Sequence, residues 1–406
     1  MARSSTSVVP FTSGPIFAIC MISVVYNLNH WSSPTTTRRS ISYGKSSPTG
    51  QVNKRGNNNN QLLLSLPTVY RPSTMETYLL EHSPQLGFHH VTAEEADSTQ
   101  QNIGCQMWKN ATLTDIYGDL QVFRKELKEY ETLLSRFLAK QSIPDVRREM
   151  KKFENDTTTA LDICQSLNLH PDGLSGIFTA SSSLSQLPNG GGYIEPLLPP
   201  LRHPEFCFNG GYLMNLGYLI HDFAALCQNH VYSDSRTVFI DMGASLDFHA
   251  SRQSPAMYIV KTFQQVGIPF DHIYGYEITP KQPNDVYERI PASLKHAYHW
   301  YNVGVNASME SEYNPLVSIL LEQFTPHDFV VVKLDIDTSF IEVPMVQLIL
   351  NNKDIADRID VLYFEHHVLL SDLAPWWGKS RNGSVLESFQ LFTQLRELGI
   401  AAHYWP

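Results

Sequence analysis

The second half of the chain alternates short apolar runs with longer amphipathic segments. The apolar runs predict six strands, at residues 237–241, 271–278, 298–305, 328–337, 359–368 and 400–405. The amphipathic segments carry apolar residues at helical spacing and predict helices at residues 213–227, 256–266, 284–296, 314–324, 341–351 and 384–398. Strands that alternate with helices of this length predict an α/β domain, built on a mostly parallel sheet with helices on both faces.

A long helix with an apolar seam precedes this domain. Its seam residues are spaced four and three apart on a segment rich in Lys, Glu and Arg, and they are Ile116, Leu120, Phe123, Leu127, Tyr130, Leu134 and Phe137. This heptad pattern predicts a stem helix inside residues 111–155, with Pro144 ending the heptad segment. Two interpretations remain open: the seam joins two copies into a coiled-coil homodimer, or the helix packs on its own domain.

The N-terminal segment has the features of a targeting sequence. Residues 15–26, PIFAICMISVVY, are apolar but fewer than the roughly 20 residues that a membrane-spanning helix needs. They fit a signal peptide or a short signal anchor within residues 1–30, followed by a disordered linker over residues 31–105. We therefore expect the secretory pathway, with the protein in the ER or Golgi lumen behind a single N-terminal membrane anchor, or secreted. The absence of acidic residues before Glu76 also fits a plastid transit peptide, which is the minority alternative.

Charge and cysteine content restrict the partners and the compartment. The formal net charge of -10 argues against a nucleic-acid partner, because such proteins carry a basic face. In the secretory pathway four of the five cysteines would form two disulfides, and all three pairings remain open for Cys105, Cys164, Cys207 and Cys227. Four sequons would accept glycans in a lumenal chain, and they begin at Asn110, Asn155, Asn306 and Asn382.

A carboxylate and a turn of small residues follow the first predicted strand. Asp241 ends this strand, and Gly243, Ala244 and Ser245 allow the backbone to turn sharply and to approach a ligand closely. Because ligands bind outside the carboxyl ends of strands in open α/β sheets, this turn predicts a nucleotide-type cofactor site. The alternative is a plain turn with a helix-capping Asp. Glu277 ends the second strand, where an acidic residue accepts hydrogen bonds from a ribose diol.

Polar side chains end most of the predicted strands. The set comprises Asp241, Glu277, Asn302, Asp335, Asp337, Glu365, His366 and His367. The carboxyl ends of parallel strands meet at one edge of a sheet, so we expect these residues to line a single site.

The order of the segments TVFIDMGAS, IYGYEITP, YNVGV, FVVVKLDID and VLYFEHHV resembles the S-adenosylmethionine-dependent methyltransferases of the FkbM-like group. The resemblance covers residues 212–406 and implies a Rossmann-like methyltransferase domain, which we expect over residues 160–406. It also implies S-adenosylmethionine as the cofactor. The cofactor-binding residues that it implies are Asp241, Gly243, Ala244, Ser245 and Glu277.

The resemblance also reaches the fourth strand. Lys333, Asp335 and Asp337 match the beginning of the family's Lys-x-Asp-x-acid signature. Ser245 replaces the family's second loop glycine, and Thr338 stands where a glycine usually follows the signature acid.

The expected activity is O-methylation of a carbohydrate or other small-molecule acceptor. Methyl transfer depends largely on positioning, and a general base helps when the acceptor is a hydroxyl group. His366 is the favoured base over His367, because strand alternation places Glu365 and His367 on the face opposite to it. Asp335 and Asp337 are the other catalytic candidates, and this interpretation assigns no metal ligand.

Two other functions remain open. Asp335-Ile-Asp337 resembles the acidic metal-binding motif of Golgi glycosyltransferases, in which carboxylates hold Mg²⁺ or Mn²⁺ against a sugar-nucleotide diphosphate. The other alternative is a catalytically inactive scaffold of the same fold, which the missing loop glycines favour.

Overall fold

The structure is a computed structural model. The chain divides into two units, and all the residues described here belong to the second unit, residues 62–406. These are residues 68–88, 105, 108, 114–140, 143–154, 157–167, 173–179, 183–199, 201–245, 255–370, 372–373, 377 and 380–406. The expected signal segment and most of the expected linker lie outside them. Among these residues, no helix combines the length and the apolar character that crossing a bilayer requires.

The core of the molecule is a six-stranded sheet in which every neighbouring pair is parallel. A small antiparallel pair of strands precedes it, and each strand has two residues: β1 (Ser185–Gln186) and β2 (Tyr193–Ile194). The sheet strands are β3 (Thr237–Met242), β4 (His272–Tyr276), β5 (Tyr298–Tyr301), β6 (Phe329–Leu334), β7 (Val361–Phe364) and β8 (Ala401–Tyr404). Their order across the sheet is β5-β4-β3-β6-β7-β8. The predicted parallel α/β sheet is confirmed, and all six predicted strands are present.

The helices have the following bounds. They are α1 (Thr74–Glu81), α2 (Thr114–Lys140), α3 (Val146–Lys152), α4 (Thr157–Gln165), α5 (Leu174–Ile177), α6 (Phe223–His230), α7 (Pro255–Gln265), α8 (Pro283–Arg289), α9 (Ser339–Asn351), α10 (Lys353–Ala356) and α11 (Val385–Glu397), together with a π-helical segment at Leu316–Leu321. The helix predicted over 213–227 starts only at Phe223, because the Asp222 side chain accepts the Ala225 amide hydrogen and caps the helix there. Ser384 and Glu387 form a capping box at the start of α11, where the predicted helix begins.

The sheet is covered on both faces. Tyr363 of β7 contacts His221, whose ring lies 5.9 Å from that of Phe263 on α7. The next residue, Phe364, stacks on Phe392 of α11 at 5.7 Å. Because successive strand residues point to opposite faces, α7 and α11 lie on opposite sides of the sheet. The strand order reverses between β3 and β6, and a crevice forms at the carboxyl ends of strands at such a point.

The apolar seam of α2 is buried inside the domain. Six of its seven residues are buried, and Phe123 and Tyr130 each place their rings 6.0 Å from that of Phe178, just after α5. This burial favours the helix packed on its own domain over the dimerising stem. The seam is already covered by the chain's own core.

The linker expected over 31–105 is corrected at its C-terminal part. Residues 68–88 contain α1 and pack against the domain, with Met75 and Leu79 fully buried. The Tyr70 hydroxyl donates to Glu76 at 2.5 Å and accepts from the Arg396 guanidinium of α11 at 3.0 Å. The residues before this helix are polar, so the whole segment resembles a linker in composition and the short amphipathic helix is not predicted.

Two disulfides form among the four cysteines downstream of the leader. Cys105 pairs with Cys207, and Cys164 pairs with Cys227. The second bond joins α4 to α6. Of the four sequon asparagines, Asn306 and Asn382 lie among the described residues, and both are exposed.

Candidate functional site

The turn after β3 brings the backbone against both neighbouring strands. Gly243 has a φ of 92°, and a Cβ added there would lie 1.7 Å from the carbonyl oxygen of Asp335. The amides of Gly243 and Ala244 donate to the Tyr276 carbonyl at the end of β4, at 3.0 and 2.9 Å. Only glycine fits the first position of this turn.

A cavity of about 350 Å³ opens at the carboxyl ends of β3, β4 and β6, beside this turn. The predicted site residues that line it are Gly243, Ser245, Glu277, Asp335 and Asp337. Its apolar wall includes Ile278, Val303 and Val305. A volume of this size lies within the range of small-molecule sites.

Glu277 lies at the wall of this cavity and is half-buried. One of its carboxylate oxygens accepts the Thr279 N–H at 2.6 Å. The Asn302 side chain donates to the Glu277 carbonyl at 2.7 Å and accepts the Lys281 N–H at 2.7 Å. Asn302 therefore holds the backbone that carries Glu277, and it is not among the residues that line the cavity.

Asp241, which the sequence predicts to contact the cofactor, does not line the cavity. Its side chain is 1% exposed and lies beneath the cavity, with Oδ1 3.2 Å from the Lys333 Nζ of β6. Burial raises the pKa of the Asp241 carboxyl, and the Lys333 ammonium acts in the opposite direction. Asp241 occupies a strand position that faces Lys333, so it supports the site from below. Ala244 is also fully buried and does not line the cavity.

Asp335 is held by two partners at the edge of the cavity. The Lys333 Nζ lies 3.0 Å from its Oδ2, and the Trp405 indole N–H donates to the same oxygen at 3.0 Å. Burial alone would raise the pKa of Asp335, but the Lys333 ammonium, together with hydrogen bonds from Glu365 and Trp405, outweighs it and holds this pKa below its usual value. Asp335 is thus an ionised carboxylate with one oxygen engaged, whereas Asp337 is exposed and projects from a left-handed backbone position with φ 54°.

Asp337, Glu365 and His367 form a second cluster beside Asp335. One potential ligand atom from each lies within 4.8 Å of the other two. His367 Nε2 is 3.0 Å from Glu365 Oε2 and 3.8 Å from Asp337 Oδ1. Glu365 and His367 are buried, and Asp337 opens this cluster to the cavity.

The predicted base, His366, lies outside both groups. Its ring stacks on Phe364 with centroids 5.2 Å apart, and its side chain lines a separate pocket together with Val343 and Glu387. Burial lowers the pKa of His366 to about 4, so its imidazole is neutral at physiological pH. As expected, His366 lies on the opposite face from Glu365 and His367. The histidine that meets the acidic cluster, however, is His367 and not His366.

Several functional neighbours have no signal in the sequence. Trp377 donates to Glu365, Trp405 donates to Asp335, and the Ser380 carbonyl contacts His367. Glu342, in the first turn of α9, accepts the Ile336 N–H at 2.8 Å, and burial raises its pKa to about 8. An acidic residue in the first turn of a helix has an ordinary explanation in the helix dipole, so only the fold reveals that Glu342 is buried.

No protein-family model, curated protein or solved structure matches the chain.

Proposed function

We propose that the protein is an S-adenosylmethionine-dependent methyltransferase that methylates an oxygen of a carbohydrate or small-molecule acceptor. The observation that carries this proposal is the cavity at the reversal point of the sheet, lined by the Gly243 turn and the Glu277 carboxylate. The strand order corresponds to 3-2-1-4-5-6 counted along the sheet strands, which is the order of Rossmann-like domains. We accordingly propose a Rossmann-like methyltransferase fold.

The residues present fit such a cofactor in shape and charge. Glu277 offers a carboxylate at the end of the second sheet strand, where ribose hydroxyls are bound in folds of this order. Ile278, Val303 and Val305 supply an apolar wall for a purine ring. Asp335 and Asp337 add negative charge to the lining of the cavity, which suits a cationic sulfonium.

When bound, the cofactor supplies an electrophilic methyl group. The chain's own contribution is to hold the acceptor in line with that group, since positioning accounts for much of the rate in such reactions. The acceptor would lie on the side of Asp335 and Asp337, and one of these two carboxylates would take the proton of a hydroxyl acceptor as its oxygen receives the methyl group. His366 is directed away from the cavity and has no part in this step.

The disulfides and the sequons favour a compartment for this activity. Disulfides persist in oxidising environments such as the ER lumen and the extracellular space. Cys105–Cys207 and Cys164–Cys227 therefore support the secretory pathway, with a glycan or small-molecule acceptor in the lumen.

Calorimetry with the full chain tests the proposal. We expect S-adenosylmethionine to bind with one site per chain, and Glu277→Gln to weaken binding by roughly 10- to 150-fold, as the loss of a charged hydrogen bond of roughly 1.5–3 kcal/mol implies. Gln keeps an oxygen for the Thr279 amide, so the loop is retained. Glu288→Gln is the matched control, because Glu288 is exposed on α8 and does not line the cavity.

Three outcomes would contradict the proposal. Absence of heat with S-adenosylmethionine would remove it. Binding of a nucleotide sugar that depends on Mn²⁺ would favour the glycosyltransferase instead. Absence of binding with both would favour the scaffold.

A further inference from the structure

We propose that Asp337, Glu365 and His367 bind a divalent first-row transition-metal ion at the edge of the cavity. The three potential ligand atoms lie within 4.8 Å of one another. A metal with ligand bonds of about 2.0–2.2 Å holds its ligand atoms roughly 3 Å apart or slightly more. His367 Nε2 is already 3.0 Å from Glu365 Oε2 and 3.8 Å from Asp337 Oδ1, so small side-chain movements complete the set.

The far side of the His367 ring is fixed by a backbone group. His367 Nδ1 lies 2.9 Å from the Ser380 carbonyl oxygen, which can only accept a hydrogen bond. The carbonyl therefore assigns a proton to Nδ1, and a bound ion would take the place of the proton that lies between Nε2 and Glu365 Oε2. Metal-binding histidines have this arrangement, with the second nitrogen donating to a carbonyl or carboxylate. The ring is buried and stacked on Trp377 at 5.0 Å, which fixes its orientation.

Glu365 is oriented in the same way. The Trp377 indole N–H donates to Glu365 Oε1 at 2.8 Å, which leaves Oε2 directed at His367. His367 Nε2 is buried, and its polar neighbours among the described residues are the two carboxylates of the cluster, Glu365 at 3.0 Å and Asp337 at 3.8 Å. Glu365 and His367 are thus each held at one atom, Oε1 and Nδ1, while Oε2 and Nε2 are directed toward each other.

Asp337 completes the set from the cavity side. Its left-handed backbone, with φ 54°, projects the carboxylate beside the cavity that it lines. A site with three protein ligands keeps coordination positions open for water or substrate, as catalytic metal sites do. One imidazole and two carboxylates suit Mn²⁺, Fe²⁺ or Zn²⁺ better than Mg²⁺, which prefers oxygen ligands alone.

This site differs from the acidic pair that the sequence offers. The Asp335-Ile-Asp337 motif would use both aspartates, but Asp335 Oδ2 is engaged by Lys333 and Trp405. A consequence for the acceptor follows, and it rests on the proposed methyltransferase function. The metal site would select an acceptor with a metal-coordinating oxygen, such as a vicinal diol. The bound ion would lower the pKa of that hydroxyl group.

Metal binding by the metal-stripped full chain, measured without S-adenosylmethionine, tests the proposal. We expect one equivalent of Zn²⁺ or Mn²⁺ in calorimetry and a visible Co²⁺ spectrum typical of nitrogen and oxygen ligands. His367→Gln and Glu365→Gln should weaken binding by more than the roughly 10–100-fold that loss of an outer-shell partner costs. Asp337→Asn should also weaken binding, and its exposed position makes folding of this variant straightforward.

His366→Gln is the matched control, since His366 is adjacent but faces other pockets. It should bind the ion as the unchanged protein does. Absence of binding by the unchanged chain would overturn the proposal, and so would equal affinity in the Asp337→Asn and His367→Gln variants. Because S-adenosylmethionine binding is measured separately in metal-free buffer, failure of the metal site and failure of the methyltransferase function are distinguishable.

Discussion

The Lys333 ammonium lies 3.2 Å from the Asp241 carboxylate, with both side chains buried across the pair of strands where the sheet order reverses. The two residues are register partners on β3 and β6. Lys333 also contacts Asp335, so one cation serves two carboxylates at the base of the cavity. Burial alone would lower the pKa of Lys333, but these carboxylates raise it above its usual value.

Lys333→Met should destabilise the fold strongly. The substitution retains an unbranched apolar chain, removes the ammonium group and leaves Asp241 buried without its counter-charge, for which we expect a loss of roughly 3–5 kcal/mol in the free energy of unfolding. Urea denaturation at pH 7 measures this loss. Lys353→Met is the control, because Lys353 pairs with Asp357 at the surface, where ion pairs contribute little. Similar stability of the two variants would show that the buried pair is unimportant.

Gly243→Ala should distort the turn that follows β3. Alanine at φ 92° places its Cβ against the Asp335 carbonyl, so we expect a loss above the roughly 1–3 kcal/mol that a strained backbone position costs. S-adenosylmethionine affinity should fall in the fraction that still folds. Gly118→Ala is the matched control, since an added Cβ in α2 meets nothing within 4 Å. Within a helix, this change should stabilise by roughly 0.5–1 kcal/mol. Equal effects of the two substitutions would contradict the close approach at Gly243.

The sheet could be predicted because its strands are buried on both faces. Phe329–Leu334 is buried at every position, and its first four residues, Phe-Val-Val-Val, form the continuous apolar run that is typical of such strands. The first polar residue after each apolar run marks the end of a predicted strand. Parallel strands bring these ends to one edge of the sheet. Glu277 and Asp335 were placed at the cavity by this reasoning alone.

Residues whose roles depend on contacts distant in sequence could not be predicted. The apolar residues Leu219 and Ile220 are buried outside any helix, so their helical spacing indicated burial and not helix. Alternation separated His366 from His367 but could not say which side of the strand faces the acidic cluster. That choice depends on Ser380 and Trp377, which the chain brings in from a separate segment.

Asp271→Asn should reduce stability at neutral pH and have a smaller effect in acid. Asp271 forms an ion pair with Arg147 of α3 and accepts the Thr237 amide hydrogen at 2.9 Å. Burial alone would raise the pKa of Asp271, but Arg147 and Thr237 outweigh it, so this pKa lies below its usual value. A depressed pKa in the folded state gives stability above the unfolded pKa of about 4, and this contribution is lost as the pH falls further.

Midpoints of urea denaturation, measured at neutral pH and at a series of acidic pH values, report the effect of Asp271→Asn on stability. The difference from the unchanged protein should narrow as the pH falls below about 4. Glu397→Gln is the control, since Glu397 is exposed at the end of α11. A difference that stays constant with pH would exclude the ionised Asp271 as its cause.

Removal of the Cys164–Cys227 bond should loosen the junction of α4 and α6. This bond joins residues 63 apart, and for a loop of that length the chain-entropy estimate is a loss of about 4 kcal/mol in the double variant Cys164→Ala/Cys227→Ala. The loss is expected mainly through a less restricted unfolded chain, so unfolding in non-reducing urea should show a lower midpoint. Reduction by dithiothreitol should destabilise the unchanged protein more than the double variant, because only Cys105–Cys207 remains in the latter. Equal sensitivity to the reductant would mean that Cys164 and Cys227 are unpaired in solution, and the case for an oxidising compartment would then rest on the other bond alone.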